Sequence, residues 1–149
     1  FSVLSDMKSG NVSGKPSKDA VFMAGVSEYR LSREGGNRRG PYSYLCIVKD
    51  NILAKELVSV FRGRSDRIRV TQTDTEGLGV LLNEEWDAVL LEIRRGGKHG
   101  FAPCARIRRY WRGPLMLLLA SSTASGDVVR GYEMGADAYV TKSIDLEEL

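Results

Sequence analysis

In Asp87-Ala88-Val89-Leu90-Leu91-Glu92-Ile93, the run after Asp87 is apolar except for Glu92 near its end. It is too short for a helix that must stand on its own and shows no polar alternation. Such a run reads as a strand buried on both faces. Tyr44-Leu45-Cys46-Ile47-Val48, Ile68-Arg69-Val70-Thr71, Leu115-Met116-Leu117-Leu118-Leu119 and Ala138-Tyr139-Val140 read the same way. Between them the apolar period changes to that of helices. Residues 52–61 put Leu53, Leu57, Val60 and Phe61 on one stripe, with Asn51 as the expected N-cap and Gly63 as the stop. Residues 75–85, carrying Leu78, Leu81 and Leu82, form the second expected helix, and 101–110 the third. Residues 125–134, closed by Gly135, form the fourth, and 145–149 begin a fifth. Continuous apolar strands alternating with helices predict an α/β domain with a doubly wound, five-stranded parallel sheet.

Such sheets put their functional residues at the carboxyl ends of the strands. Here those positions are Lys49 and Asp50, Glu92, Ala120 and Ser121, and Lys142.

Three segments carry a family resemblance: Tyr-Leu-Cys-Ile-Val-Lys-Asp-Asn (44–51), Asp-Ala-Val-Leu-Leu-Glu-Ile (87–93) and Gly-Ala-Asp-Ala-Tyr-Val-Thr-Lys (135–142). Together they resemble the receiver domain of two-component response regulators, over about residues 43–149. The resemblance implies a flavodoxin-like (CheY-like) strand order. It also implies a pocket in which an acidic pair after the first strand holds Mg²⁺ and an aspartate ending the third accepts a phosphoryl group. A hydroxyl ending the fourth strand and a lysine after the fifth complete that pocket. Matched position by position, the acidic pair reads Lys49 and Asp50, and the acceptor reads Glu92. The hydroxyl position reads Ala120 with Ser121 following, the lysine Lys142, and the aromatic switch position Tyr139.

These departures predict an atypical, or pseudo-, receiver. Lys49 puts an ammonium where a metal needs negative charge, and it is expected to pair with Asp50 and Glu92. With Lys142 the pocket balances two negatives with two positives, so Mg²⁺ is disfavoured and no cofactor is expected; Asp50 and Glu92 are the ligands if any metal binds. The expected role is phosphorylation-independent signalling by protein contact, without enzymatic activity. The family implies a protein partner or homodimer on the face of the fourth helix, fifth strand and fifth helix, including Val128, Val129, Tyr132 and Tyr139. Nucleic acid would be met only through an attached output domain. A working Mg-dependent phosphoacceptor, and an interaction scaffold within a larger assembly that binds through the basic cluster of residues 94–112 and the N-terminal arm, are the alternatives.

The chain has 149 residues and a formal charge of +3. Residues 1–42 hold 7 Lys/Arg against 4 Asp/Glu, whereas 43–149 hold 15 of each, so the folded part is not broadly basic. Residues 1–42 read as a flexible or partly ordered extension: a polar start to residue 20, an apolar island at 21–26 that reads as an added strand, a docking peptide or, by preference, a loop patch, and a Gly/Arg-rich hinge at 33–40. The chain opens on Phe1, as a fragment would, and no signal peptide or membrane-length apolar run is legible. Cys46 and Cys104 have neither disulfide nor metal spacing, so reduced buried thiols and a cytoplasmic setting are expected.

Arg106, Arg108, Arg109 and Arg112, with Arg94, Arg95 and Lys98 in the preceding loop, form a local basic cluster beside Tyr110 and Trp111. It reads as a solvated face, or more sharply as a patch for an acidic partner, RNA or an anionic surface. Tyr110 and Trp111 would stack on a base or a partner there, or Trp111 would pack over the helix end. The lone His99 reads as a loop residue, and Ser122, Thr123, Ser125 and Asp127 as turn and N-cap chemistry.

Overall fold

The computed structural model describes residues 17–34, 41–64, 66–94, 100–113, 115–121 and 124–141. In chain order the elements are α1 (Lys18–Glu34), β1 (Ser43–Ile47), α2 (Asn51–Gly63), β2 (Arg67–Thr71) and α3 (Asp74–Asn83). They continue with β3 (Ala88–Ile93), α4 (Ala102–Tyr110), β4 (Leu115–Ala120), α5 (Ser125–Glu133) and β5 (Ala138–Thr141). The five strands form one parallel sheet in the order β2-β1-β3-β4-β5. This is the expected doubly wound, flavodoxin-like architecture. The fifth helix expected at 145–149 lies outside the described residues.

Side chains alternate across each strand, so the sheet feeds two cores. Tyr44, Cys46, Leu90, Leu117 and Val140 point to one face, against α2 residues Leu53, Leu57 and Phe61. Leu45, Leu91, Met116 and Leu118 point to the other, against Leu81 of α3 and Cys104 and Ile107 of α4. Cys46 and Cys104 therefore lie on opposite sides of the sheet, both buried as free thiols.

Within the N-terminal extension, α1 corrects the loop reading of residues 21–26 and the start of the hinge. Residues 21–26 are helix rather than loop, and Arg33 and Glu34 end that helix rather than begin a hinge. Residues 1–16 and 35–40 lie outside the described residues. Ala20, Met23, Ala24, Ser27 and Leu31 are buried at intervals of three and four, which is one helical stripe. Three of the five are small, so α1 approaches closely and packs against α2 and β4. Arg64, capping α2, ties the pair: its Nη1 donates to the Ala24 carbonyl (3.1 Å) and meets the Glu28 carboxylate at 2.6 Å. Ser17 Oγ accepts from the Ala20 amide (3.2 Å), and Asp19 and Arg33 suit the helix dipole at either end. The spacing was visible in the sequence, but small inward residues carry little hydrophobic signal while Val21, Phe22 and Tyr29 are exposed.

Two caps also differ from expectation. Asp50, not Asn51, caps α2: its Oδ1 accepts from the amides of Ile52 (3.0 Å) and Leu53 (3.2 Å). α5 begins after Ala124, which has no side-chain acceptor, so Ser125 is the first helical residue rather than a cap. Ser122 and Thr123 lie outside the described residues. Gly135 does end the α5 segment, at φ 112°, a left-handed conformation that favours glycine.

Met23→Ala, at a fully buried position, is expected to cost about 2–5 kcal/mol in urea unfolding, whereas Phe22→Ala should stay within about 0.5 kcal/mol. Equal effects at these adjacent positions would refute the docking of α1.

Candidate functional site

The carboxyl ends of β1, β3, β4 and β5 meet at one end of the sheet. Glu92 lies opposite Leu119, Ile93 opposite Ala120, and Ala120 opposite Thr141. A cavity of about 460 Å³ opens there, with Lys49, Gln72, Glu92, Arg94 and Gly100 in its lining.

Glu92 dominates this cavity. Its side chain is only 1% exposed, and its Oε1 accepts from the backbone amides of Lys49 (2.9 Å) and Asp50 (3.2 Å). Two successive amides leaving a strand make a concave donor pair suited to an anion. The extra methylene of glutamate, relative to aspartate, lengthens the reach from β3 towards the end of β1. Arg94 Nη1 stands 3.9 Å from the same oxygen, at the cavity rim. The expected pairing of the Lys49 ammonium is thus corrected: Lys49 meets Glu92 through its backbone amide, and its side chain is exposed. An exposed ammonium keeps its hydration, while a backbone amide facing the interior must find an acceptor.

Asp50 turns its Oδ1 to the start of α2 instead of into the cavity, as the cap described above. Two carboxylates stand at this end of the sheet, and each has one oxygen engaged by backbone amides. Asp50 caps a helix, Glu92 accepts two amides, and the exposed Lys49 immediately precedes Asp50. Among the described residues no group of three or more metal-ligating side chains occurs. Ala120 is 1% exposed and packs in the core of α3 and α4, while Ser121 is exposed. Lys142 lies outside the described residues.

Tyr139 packs partly buried against that same core, its ring centroid 6.2 Å from that of Phe101. Gly131 on α5 makes room for it: a Cβ there would stand 2.9 Å from Tyr139 Cδ2 and 3.2 Å from Leu118 Cδ1. Nothing in the linear sequence marks Gly131 as the residue that seats Tyr139. The Tyr139 amide donates to Tyr132 Oη (3.2 Å), which joins α5 to the edge strand β5. Around them Val129 is 55% and Tyr132 45% exposed, whereas Val128 is partly buried.

The four arginines of α4 and its end do not share one role. Arg106 pairs with Asp74 at 2.7 Å. Arg108 donates to the Gly135 and Gly113 carbonyls (2.9 and 2.8 Å) and to Asp137 (2.6 Å), so it fastens the ends of α4 and α5 together. Arg109 and Arg112 are exposed, as is Tyr110, but Trp111 is buried with the Arg108 guanidinium 5.5 Å from its ring. Trp111 is therefore a core residue and not a stacking platform. Arg95, Lys98 and His99 lie outside the described residues.

Burial pushes the Cys104 thiol up to about 11, from 9.0, and pushes that of Cys46 up as well. Both should resist an aromatic disulfide reagent at pH 8 and react once the chain is unfolded. The unfolded thiols ionise first, so the folded state binds more protons above pH 9. Stability should be full below pH 9 and fall as pH rises towards 11. A native thiol reacting at the unfolded rate would overturn this placement. Gly131→Ala should destabilise by roughly 1–3 kcal/mol through overpacking and shift the aromatic NMR signals of Tyr139. An unchanged Tyr139 spectrum would refute the seating.

Comparison with known proteins gives this geometry its context. The family model for the response regulator receiver domain matches residues 45–149. The chain is 36% identical over 110 residues to the transcriptional activator protein PfeR of Pseudomonas aeruginosa, covering 73% of this chain and 36% of PfeR. It is 33% identical over 102 residues to the transcriptional regulatory protein AfsQ1 of Streptomyces coelicolor, covering 68% and 45%. The chain thus spans less than half the length of these curated relatives. The crystal structure of a two-component response regulator from Clostridium difficile superposes with a TM-score of 0.62 at 20% identity, covering 72% of this chain and 88% of that one, and supports the fold. No helix among the described residues is long and apolar enough to cross a membrane. On the family match, supported by the fold, this chain belongs to the response regulator receiver domain family, whose members are non-catalytic modules of two-component signalling.

Proposed function

We propose that this receiver domain signals through protein contact without being phosphorylated, its pocket filled from within by Glu92. The observation that carries this reading is the buried Glu92 carboxylate bonded to the amides of Lys49 and Asp50. A negative group already occupies the donors at the head of the cavity. Asp50 is engaged as a helix cap, Lys49 adds positive charge, and Ala120 offers a methyl where the family has a hydroxyl. Each of these lowers the affinity for Mg²⁺ or removes a contact to a phosphoryl group. No cofactor is required for the role we propose.

The partner meets the face of α5 and β5. Val129 and Tyr132 supply exposed apolar and aromatic surface there, and the partly buried Tyr139 is seated by Gly131. A protein partner or a second copy fits such a face. PfeR and AfsQ1 are transcriptional regulators more than twice as long as the matched region. By analogy, the domain would govern an attached output domain, such as one that binds DNA. A reducing, cytoplasmic setting suits its two free thiols.

Intact mass after incubation with Mg²⁺ and a small acyl phosphate tests the reading. The native chain should gain no phosphoryl mass. A gain in Glu92→Asp alone would place the block at Glu92. A phosphorylated native chain would make this a working Mg-dependent receiver and sink the proposal. Separately, Glu92→Gln weakens two bonds to a charged acceptor and should cost roughly 1.5–3 kcal/mol in urea unfolding. No loss would show that the carboxylate does not organise the pocket.

A further inference from the structure

We propose that the outer face of α1 is a docking surface for an acidic amphipathic helix of a partner protein. This rests on the docking of α1 and not on the state of the phosphorylation pocket.

The inward stripe of α1 is settled against α2 and β4. The opposite stripe carries the larger apolar groups. Val21 is 46% exposed, and Phe22 and Tyr29 are 62% each. Gly25 lies between them, and a Cβ added there would meet nothing within 4 Å. At helical spacing Val21, Phe22, Gly25 and Tyr29 share one side, so the patch is continuous and has a low centre. A helix that needed only to cover the core would place polar residues there.

Charge identifies the occupant. Lys18 and Arg33 stand exposed at the two ends of this stripe, about 22 Å apart along the axis. Arg33 donates to the Tyr29 hydroxyl at 3.0 Å, so its guanidinium lies along the stripe. Glu28, the carboxylate at its edge, is paired with Arg64. An apolar centre with a cation at each end complements a helix with an apolar stripe and carboxylates at both ends. A second copy is the poorer match. Antiparallel, its Arg33 would face Lys18; parallel and in register, like would face like at both ends.

Fluorescence anisotropy with two labelled helical peptides tests the proposal. Both carry a leucine stripe at the i, i+3, i+4, i+7 spacing, one with glutamates flanking the stripe and the other with lysines. The acidic peptide should bind saturably and the basic one should not, with weakening on raising salt from about 50 to 500 mM. Phe22→Ser combined with Tyr29→Ser should weaken binding by at least about tenfold, since burial of two aromatic groups is lost. Both residues lie outside the core, and an unchanged urea midpoint verifies that the variant is folded. Lys18→Glu combined with Arg33→Glu should reverse the preference to the basic peptide. Equal binding of the two peptides, binding that survives the aromatic double variant, or no binding at all would overturn the proposal. So would sedimentation showing a dimer that the aromatic variant abolishes, since the occupant would then be a second copy. Binding of anionic vesicles without either peptide would assign the face to lipid.

Discussion

A parallel sheet with apolar side chains on both sides has to be covered on both sides. In this domain α3, α4 and α5 lie on one face, while α2 is the crossover helix of the described residues on the other. α2 follows β1 and lies with the β1–β2 half of the sheet. The same face runs on across β3, β4 and β5, through Leu90, Leu115, Leu117, Leu119 and Val140. α1 joins that core and packs against β4, which brings a segment outside the family match into the receiver core. Its small residues let the helix come close, and Arg64 makes the polar connection.

The pocket depends on the strand register, in which Ile47 ends β1 opposite Leu91 and β3 runs two residues further to Ile93. Once β1 and β3 run side by side, Glu92 lies beside the turn into α2. The amides of Lys49 and Asp50 leave the β1 ladder there and need acceptors. A carboxylate arriving from the neighbouring strand satisfies both. Asp50 serves the amides one turn further on. The two carboxylates are thereby divided between two sets of backbone donors.

At the other side of the domain, tyrosines link α5 to the edge strand. Tyr132 accepts the Tyr139 amide, and Gly131 leaves room for the Tyr139 ring. Backbone and ring are held by neighbouring residues of one helix, so a shift of α5 would move both together. Arg108 holds the Gly135 turn and Asp137 to the end of α4. The α5–β5 face is therefore joined to the α4 side of the core, which also contains Ala120 at the pocket.

The apolar runs ending near Glu92, Val48 and Ala120, and the helical stripes between them, determined the parallel α/β fold by themselves. Strand burial and helix period are local patterns that survive in one dimension. The positions at the strand ends were legible for the same reason, since topology places them together. What those side chains bond to was decided only by the tertiary structure. Lys49 was legible as a charge, but its backbone amide, not its ammonium, meets Glu92. Arg108 and Trp111 were legible as basic and aromatic, yet one fastens two helix ends and the other is buried. α1 escaped notice because its inward side is small and its outward side bulky, the reverse of the usual amphipathic helix. Hydrogen-bond partners and close packing arise between residues distant in the chain, and neither leaves a period for the sequence to display.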